Sequence, residues 1–300
     1  MILTSDKQIE KELPGAKFVT PGNLPKFDKD TNIKIIVGSR ELVRTLENIS
    51  LPNLRFIQLL SAGYEGIDLE KIKSRGIQIS NAANVYSVGM AEFIVFAILM
   101  TAKKYNKSIK RNNIRYQRGY KYITELESKT VGILGAGAIG IEVAKRLSGF
   151  NMRILGYDLI ASQKPYFDKI YNSYQLNEIL PQCDYVVVTL PLNEKTVGSI
   201  NQNMFSKMKK DVTIVNVGRQ ALFNKKDFLT ELKKNKKMTA ILDMFEIFPN
   251  PITNPFRRLS NVKVLPGVTA ISQEISKKRL NLVLENIELV LNHQTPKFIL

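Results

Sequence analysis

Short apolar runs alternate along the chain with stretches whose apolar residues recur at helical spacing. Ile33 to Val37, Leu54 to Leu60 and Ile77 to Ile79 have strand length, and Glu41 to Glu47 and Asp68 to Ser74 between them have the helical pattern. Strands that alternate with helices predict a parallel sheet. From Val88 to about Ser108 the chain is apolar on most sides of a helix, which predicts a buried crossing into a second domain. The strand rhythm then resumes at Lys129 to Leu134, Arg153 to Asp158, Tyr185 to Leu192, Val212 to Arg219, Thr239 to Phe245 and Val262 to Leu265. A last amphipathic helix, Ser272 to Asn292, returns to the first domain. The expectation is an α/β protein of two doubly wound parallel-sheet domains, the second with six strands. Residues 1–90 with 273–300 form one discontinuous domain and 91–272 the other.

The first strand of the second domain ends in Gly135-Ala136-Gly137-Ala138-Ile139-Gly140, a G-x-G-x-x-G turn opening a helix. Gly135 permits the tight turn, Gly137 lets a pyrophosphate approach the backbone, and Gly140 lets helix and strand pack closely. Ala138 and Ile139 begin the helix, whose free N–H groups favour an anion. The next strand ends in Asp158, placed to accept from an adenosine ribose 2′-hydroxyl and to repel a 2′-phosphate. That reading favours NAD over NADP.

Composition narrows the class without changing this picture. The 300 residues are 44% hydrophobic, enough for a sizeable core. No basic segment followed by an apolar one opens the chain, and no apolar run reaches the length of a membrane span, so a soluble, cytoplasmic location and no membrane partner are expected. The single cysteine, Cys183, precedes an apolar strand and reads as a small buried hydrophobe; no metal site is expected. The net charge of +17 comes from scattered lysines such as Lys103-Lys104, Lys209-Lys210, Lys225-Lys226, Lys233-Lys234 and Lys236-Lys237. These read as solvated helix ends and faces, and no nucleic-acid-binding signature accompanies them.

Ligands of open α/β sheets lie beyond the carboxyl ends of strands. There the first domain offers Ser61 to Asp68, with backbone N–H groups around Gly63 suited to a carboxylate, and Asn81 to Tyr86. The second offers Leu190-Pro191 and Val217-Gly218-Arg219 as walls for a bound cofactor.

Together these motifs resemble the D-isomer-specific 2-hydroxyacid dehydrogenases, the group of glycerate, phosphoglycerate and D-lactate dehydrogenases. The resemblance spans Ser61 to Asp68, Asn81 to Glu92, the glycine loop with Asp158, Thr189 to Leu192 with Thr196, Val215 to Arg219, and Asp243 to Phe245 with Pro249. It implies a flavodoxin-like substrate domain from both chain ends, a central Rossmann NAD-binding domain, an active cleft between them and a homodimer built on the central domain. It implies that Arg219 orients a substrate carboxylate and carbonyl, as a two-pronged guanidinium does well. Gly63 and Tyr64 match the carboxylate-binding loop, and Asp243 matches the aspartate that faces the nicotinamide carboxamide.

Two positions depart from the family pattern. The glutamate of D-V-F-x-x-E-P is Phe248 here, and the histidine of T-P-H is Gly267. Both halves of the acid–base pair that protonates the substrate carbonyl are therefore replaced. The one histidine, His293, lies beyond the last helix and reads as a surface residue. Tyr86 and Tyr64 are the phenols that could reach a carbonyl oxygen. Two readings stay open: an NAD-dependent oxidoreductase of a small 2-keto or 2-hydroxy acid with an altered proton donor, and an inactive NAD-binding regulatory protein.

Overall fold

The computed structural model describes residues 1–105, 123–243, 253–265 and 267–300. The chain divides into two compact units, Met1–Tyr86 with Ser272–Leu300, and Ser87–Ile271. The sequence pattern places the same divisions at 90/91 and 272/273.

The first unit holds a parallel sheet of β1 (Ile2–Thr4), β2 (Ala16–Phe18), β3 (Ile35–Gly38), β4 (Phe56–Leu59) and β5 (Gln78–Ser80), in the order β2-β1-β3-β4-β5. β1 and β2 are absent from the sequence expectation because three residues are too few to show a period. Their pairing is non-local: Ile2 aligns with Ile35 on one side and with Ala16 on the other. β3 and β4 are buried throughout, and their apolar residues, interrupted in β4 by Gln58 alone, reflect a sheet covered on both faces. Helices α1 (Lys7–Glu12), α2 (Arg40–Thr45) and α3 (Leu69–Ser74) each begin at a side-chain cap, Asp6, Ser39 and Asp68 respectively. The C-terminal helix, named α9 below (Ile275–Leu291), lays Val283 and Ile287 against Ile35, Val37 and Phe56. It is tied there by Arg279 to Asp6 at 2.8 Å and by Asn286 Nδ2 donating to the buried Gln58 Oε1 at 2.6 Å.

The second unit opens with α4 (Ser87–Ala102), the apolar helix expected from Val88 onward. Next come β6 (Thr130–Leu134), α5 (Ala138–Leu147), β7 (Arg153–Tyr157), β8 (Lys169–Tyr171), α6 (Leu176–Ile179) and β9 (Tyr185–Val188). They are followed by α7 (Gln202–Lys207), β10 (Thr213–Asn216), α8 (Lys225–Lys234), β11 (Thr239–Leu242) and β12 (Val262–Val264). The sheet is parallel, ordered β12-β11-β10-β9-β6-β7-β8, with seven strands where the sequence pattern gives six. The extra one, β8, is an edge strand, Lys169-Ile170-Tyr171, of three residues, too few to show a period.

The core of this unit gathers Phe205, Phe223, Phe228 and Phe256, with the rings of Phe223 and Phe228 stacked at 4.5 Å. Cys183 is fully buried and donates to the Ile179 carbonyl at 3.1 Å. A Cβ at Gly132 would lie 2.5 Å from its Sγ, so the thiol fills the space that Gly132 leaves beside β6. The paired lysines of α8 and the turn after it are exposed, and His293 is exposed past the end of α9. Among the described residues no helix is long and apolar enough to cross a membrane, and no cluster of metal-ligating side chains occurs.

Candidate functional site

In the second sheet the chain runs outward from β6 through β7 to β8, then crosses to β9 on the other side of β6. Strand order therefore reverses between β6 and β9, the place where an open α/β sheet leaves a crevice beyond its carboxyl ends. The glycine loop leaves β6 at this reversal. Thr189, just past β9, closes the floor of the loop: its backbone N–H and hydroxyl donate to Leu134 O at 2.8 and 3.2 Å, and the hydroxyl also reaches Gly135 O at 2.8 Å.

Gly135 sits at φ +108°, which an L side chain rarely adopts, and its Cβ would stand 2.8–2.9 Å from Thr189. A Cβ on Gly140 would collide with the Gly135 carbonyl, so the close packing of α5 on the loop depends on that hydrogen. Gly137 differs from both: it is exposed, with nothing within 4 Å of where its Cβ would be. It is also the N-cap of α5, and no side chain caps this helix. Open space above Gly137 together with the uncapped first turn at Ala138 and Ile139 suits the approach of an anion such as a pyrophosphate. These residues fit a dinucleotide.

At the end of β7, Asp158 is half-buried beside the loop and held by Tyr171, whose carbonyl accepts its N–H at 3.0 Å. Its carboxylate is already partnered. Oδ1 accepts from Leu159 N at 2.7 Å, and Oδ2 accepts from Lys164 Nζ at 2.6 Å. The same ammonium donates to Ala136 O, inside the glycine loop, at 2.8 Å. Lys164 is absent from the sequence expectation, because a lysine six positions beyond an acid in a polar loop is unremarkable until the loop folds back.

The other walls stand at the carboxyl ends of β9 and β10. Leu190 is half-buried and Pro191 exposed, and the loop after them is folded by Thr196, whose Oγ1 donates to Pro191 O at 2.7 Å. After β10, the buried Asn216 accepts from Gly218 N at 3.0 Å and turns Val217-Gly218-Arg219 away from the sheet. A Cβ on Gly218 would lie 3.4 Å from Leu190 O, so these two walls approach closely. Arg219, half-buried, precedes a short 3-10 turn at Gln220–Leu222.

Asp243, at the end of β11, is 2% exposed. Both its oxygens are occupied by one turn: Gly267 and Val268 N–H donate to Oδ1 at 3.0 and 3.1 Å, and Thr269 donates to Oδ2 through its N–H at 3.1 Å and through its hydroxyl. The carboxylate expected to face a carboxamide anchors the 267–269 turn. Gly267 lies in that turn at φ +74°. Phe248, the other replaced position, and Pro249 lie outside the described residues.

In the first unit, Ser61 to Asp68 follows β4. Its bend is held by Ser61 Oγ to Gly63 O at 2.8 Å, and Asn81 Nδ2 supports Ala62 O at 2.8 Å. Arg40 pairs with Glu65 at 2.6 Å, while Arg44 donates to Gly66 O at 3.1 Å and to Glu65 O. Tyr64 is exposed. The hydroxyl of Tyr86, one of the two phenols that could reach a carbonyl oxygen, donates to Leu60 O at 2.8 Å and so holds the end of β4.

A family model described as the NAD-binding domain of D-isomer specific 2-hydroxyacid dehydrogenases matches residues 93–268. The chain belongs to this family. Among its relatives is a glyoxylate reductase of Korarchaeum cryptofilum, 31% identical over 246 residues that cover 79% of this chain and 73% of the relative. Among solved structures, D-mandelate dehydrogenase of Rhodotorula graminis matches at a TM-score of 0.84 with 17% identity, over 100% of this chain and 96% of that one. An NADPH-dependent glyoxylate/hydroxypyruvate reductase of Sinorhizobium meliloti, solved with NADP and malonate, matches at 0.80 with 21% identity, over 100% and 96%. In this chain the glycine loop, Asp158, Leu190, Pro191, Gly218, Arg219 and Asp243 all fall in the unit that carries the NAD-binding domain.

Proposed function

We propose that the protein binds a nicotinamide dinucleotide along the β6–α5 turn and uses it to reduce a small 2-keto acid, of the glyoxylate or hydroxypyruvate kind, at a low rate. The observation that carries this reading is the open cradle at Gly137, set at the strand reversal in front of an uncapped helix. Leu190, Pro191, Val217 and Gly218 serve as walls for the dinucleotide, and the dinucleotide supplies the hydride. Arg219 holds the substrate carboxylate and carbonyl; in the first unit, taken by itself, the Gly63–Tyr64 loop has the backbone N–H groups of a carboxylate-binding turn.

The low rate follows from the residues at the proton-donor positions. Phe248 carries no acid and Gly267 no side chain, and the Tyr86 hydroxyl is committed to a backbone carbonyl. General acid–base catalysis contributes roughly 10²- to 10⁴-fold, so without it hydride transfer rests on positioning and on the charge of Arg219. The same replacements favour a second reading, an NAD-binding regulatory protein without turnover.

Assembly as a homodimer through the NAD-binding unit is part of the proposal. It is supported by α4, which packs on α5 yet leaves Phe96 48% exposed beside Phe93 on an almost wholly apolar helix.

Titrating NADH while following its fluorescence, then adding glyoxylate, hydroxypyruvate, pyruvate and longer keto acids, separates the readings. Saturable binding with slow oxidation supports the enzyme. Saturable binding with no oxidation by any acid supports the regulatory protein, and absence of binding removes both.

A further inference from the structure

The acid that ends β7 does not stand alone, and this changes which dinucleotide the loop admits. An unpaired Asp158 would repel a 2′-phosphate, the basis on which sequence favours NAD. In the folded protein Lys164 Nζ lies 2.6 Å from Asp158 Oδ2, and both side chains are about three-quarters shielded, at 25% and 26% exposure. The carboxylate's other oxygen is satisfied by Leu159 N. The acid's charge is thus offset where a ribose 2′ substituent would lie.

The ammonium also sits on Ala136 O at 2.8 Å, so the lysine spans from the second strand end to the glycine loop itself. An ammonium has three donors. Two are used by Asp158 and Ala136, which leaves one for a ligand. The flanking residues add no negative charge: Leu159 and Ile160 are apolar and 71% and 74% exposed. The N-terminus of α5 adds a partial positive charge on the far side of the loop.

We propose that Lys164 is a specificity-determining residue for the dinucleotide: paired with Asp158 across the loop, it admits a 2′-phosphorylated cofactor, so that NADP(H) binds as well as NAD(H). This rests on the reading of the glycine loop as a dinucleotide site. A compact, strongly hydrated cation on a flexible stem suits the role, because it can bridge the acid when a 2′-hydroxyl is present and turn its charge to a phosphate when one is present.

The test is a fluorescence titration of the purified full chain with NADH and with NADPH, for wild type, Lys164→Met, Lys164→Arg and Asp158→Asn, with thermal melts to show each is folded. Wild type is expected to bind the two dinucleotides within about tenfold of each other. Lys164→Met should weaken NADPH at least about tenfold and NADH less than about threefold, because it removes the cation beside the phosphate; Lys164→Arg, which keeps the charge, should retain NADPH; and Asp158→Asn, which removes the anion, should shift preference toward NADPH. Equal weakening of both dinucleotides by Lys164→Met, or a wild type that binds NADPH more than about tenfold more weakly than NADH, overturns the assignment of Lys164 while leaving the site intact. A folded wild type that binds neither overturns the site itself, and the role of Lys164 with it.

Discussion

The Thr269 hydroxyl and the Asp243 carboxylate are hydrogen-bonded to each other in the interior of the NAD-binding unit, and three backbone N–H groups from Gly267 to Thr269 complete the carboxylate's shell. A buried carboxylate is tolerated only when its lone pairs are satisfied, and here each oxygen takes two donors. The end of β11 and the turn after β12 are thereby fastened to each other. This turn contains position 267, where the family carries a histidine.

Asp243 should therefore act on stability before it acts on ligand binding. Asp243→Ala leaves three N–H groups and a hydroxyl, those of Thr269 buried, without their acceptor and should cost about 2–4 kcal/mol. Thr269→Val, which removes only the hydroxyl, should cost about 1–2 kcal/mol. Urea unfolding measures both. A loss below that expected for a surface substitution would show that the anchor carries little.

The three loop glycines should separate by what their Cβ would meet. Gly137→Ala enters open space at an ordinary φ and should leave stability within about 0.5 kcal/mol, yet weaken NADH at least about tenfold by filling the cradle. Gly140→Ala collides with Gly135 O and should destabilise by about 1–3 kcal/mol whether or not a dinucleotide is present. Melts with and without NADH distinguish the two variants.

Restoring the acid–base pair with Phe248→Glu and Gly267→His should raise keto-acid turnover by roughly 10²- to 10⁴-fold if the rest of the site is competent. The same double variant should lose about 1–2 kcal/mol of stability, because φ at 267 is +74° and a side chain there is strained. Turnover that stays at the wild-type level, with NADH still bound, would place the deficit elsewhere in the substrate site.

Burial pushes the Cys183 thiol up to about 12, against an ordinary value near 9. The fold keeps the neutral thiol, so this contribution to stability is whole below about pH 9 and is lost as pH rises from there through about 12. Within that window wild type should lose stability more steeply than Cys183→Ala, by up to about 1.4 kcal/mol per pH unit. Denaturant midpoints for both proteins across that range supply the difference. Parallel curves would show that the thiol is not shielded.

Much of this protein was determined by its sequence. The alternation of apolar runs sets two parallel-sheet units, because a strand covered on both faces, such as Tyr185–Val188, must be apolar throughout. The spacing of Gly135, Gly137 and Gly140 sets the loop, since all three fall within one strand–turn–helix segment. Tertiary structure decided what no local pattern carries. β1, β2 and β8 exist only through partners distant in the chain, and Tyr86 and Asp243 spend their polar groups on Leu60 and on the 267–269 turn. Lys164 reaches back across six residues to Asp158 and across twenty-eight to Ala136. The chain supplies an acid that by itself selects against a 2′-phosphate; the fold places a cation on it, because charge at a site is a sum over everything brought within a few ångströms.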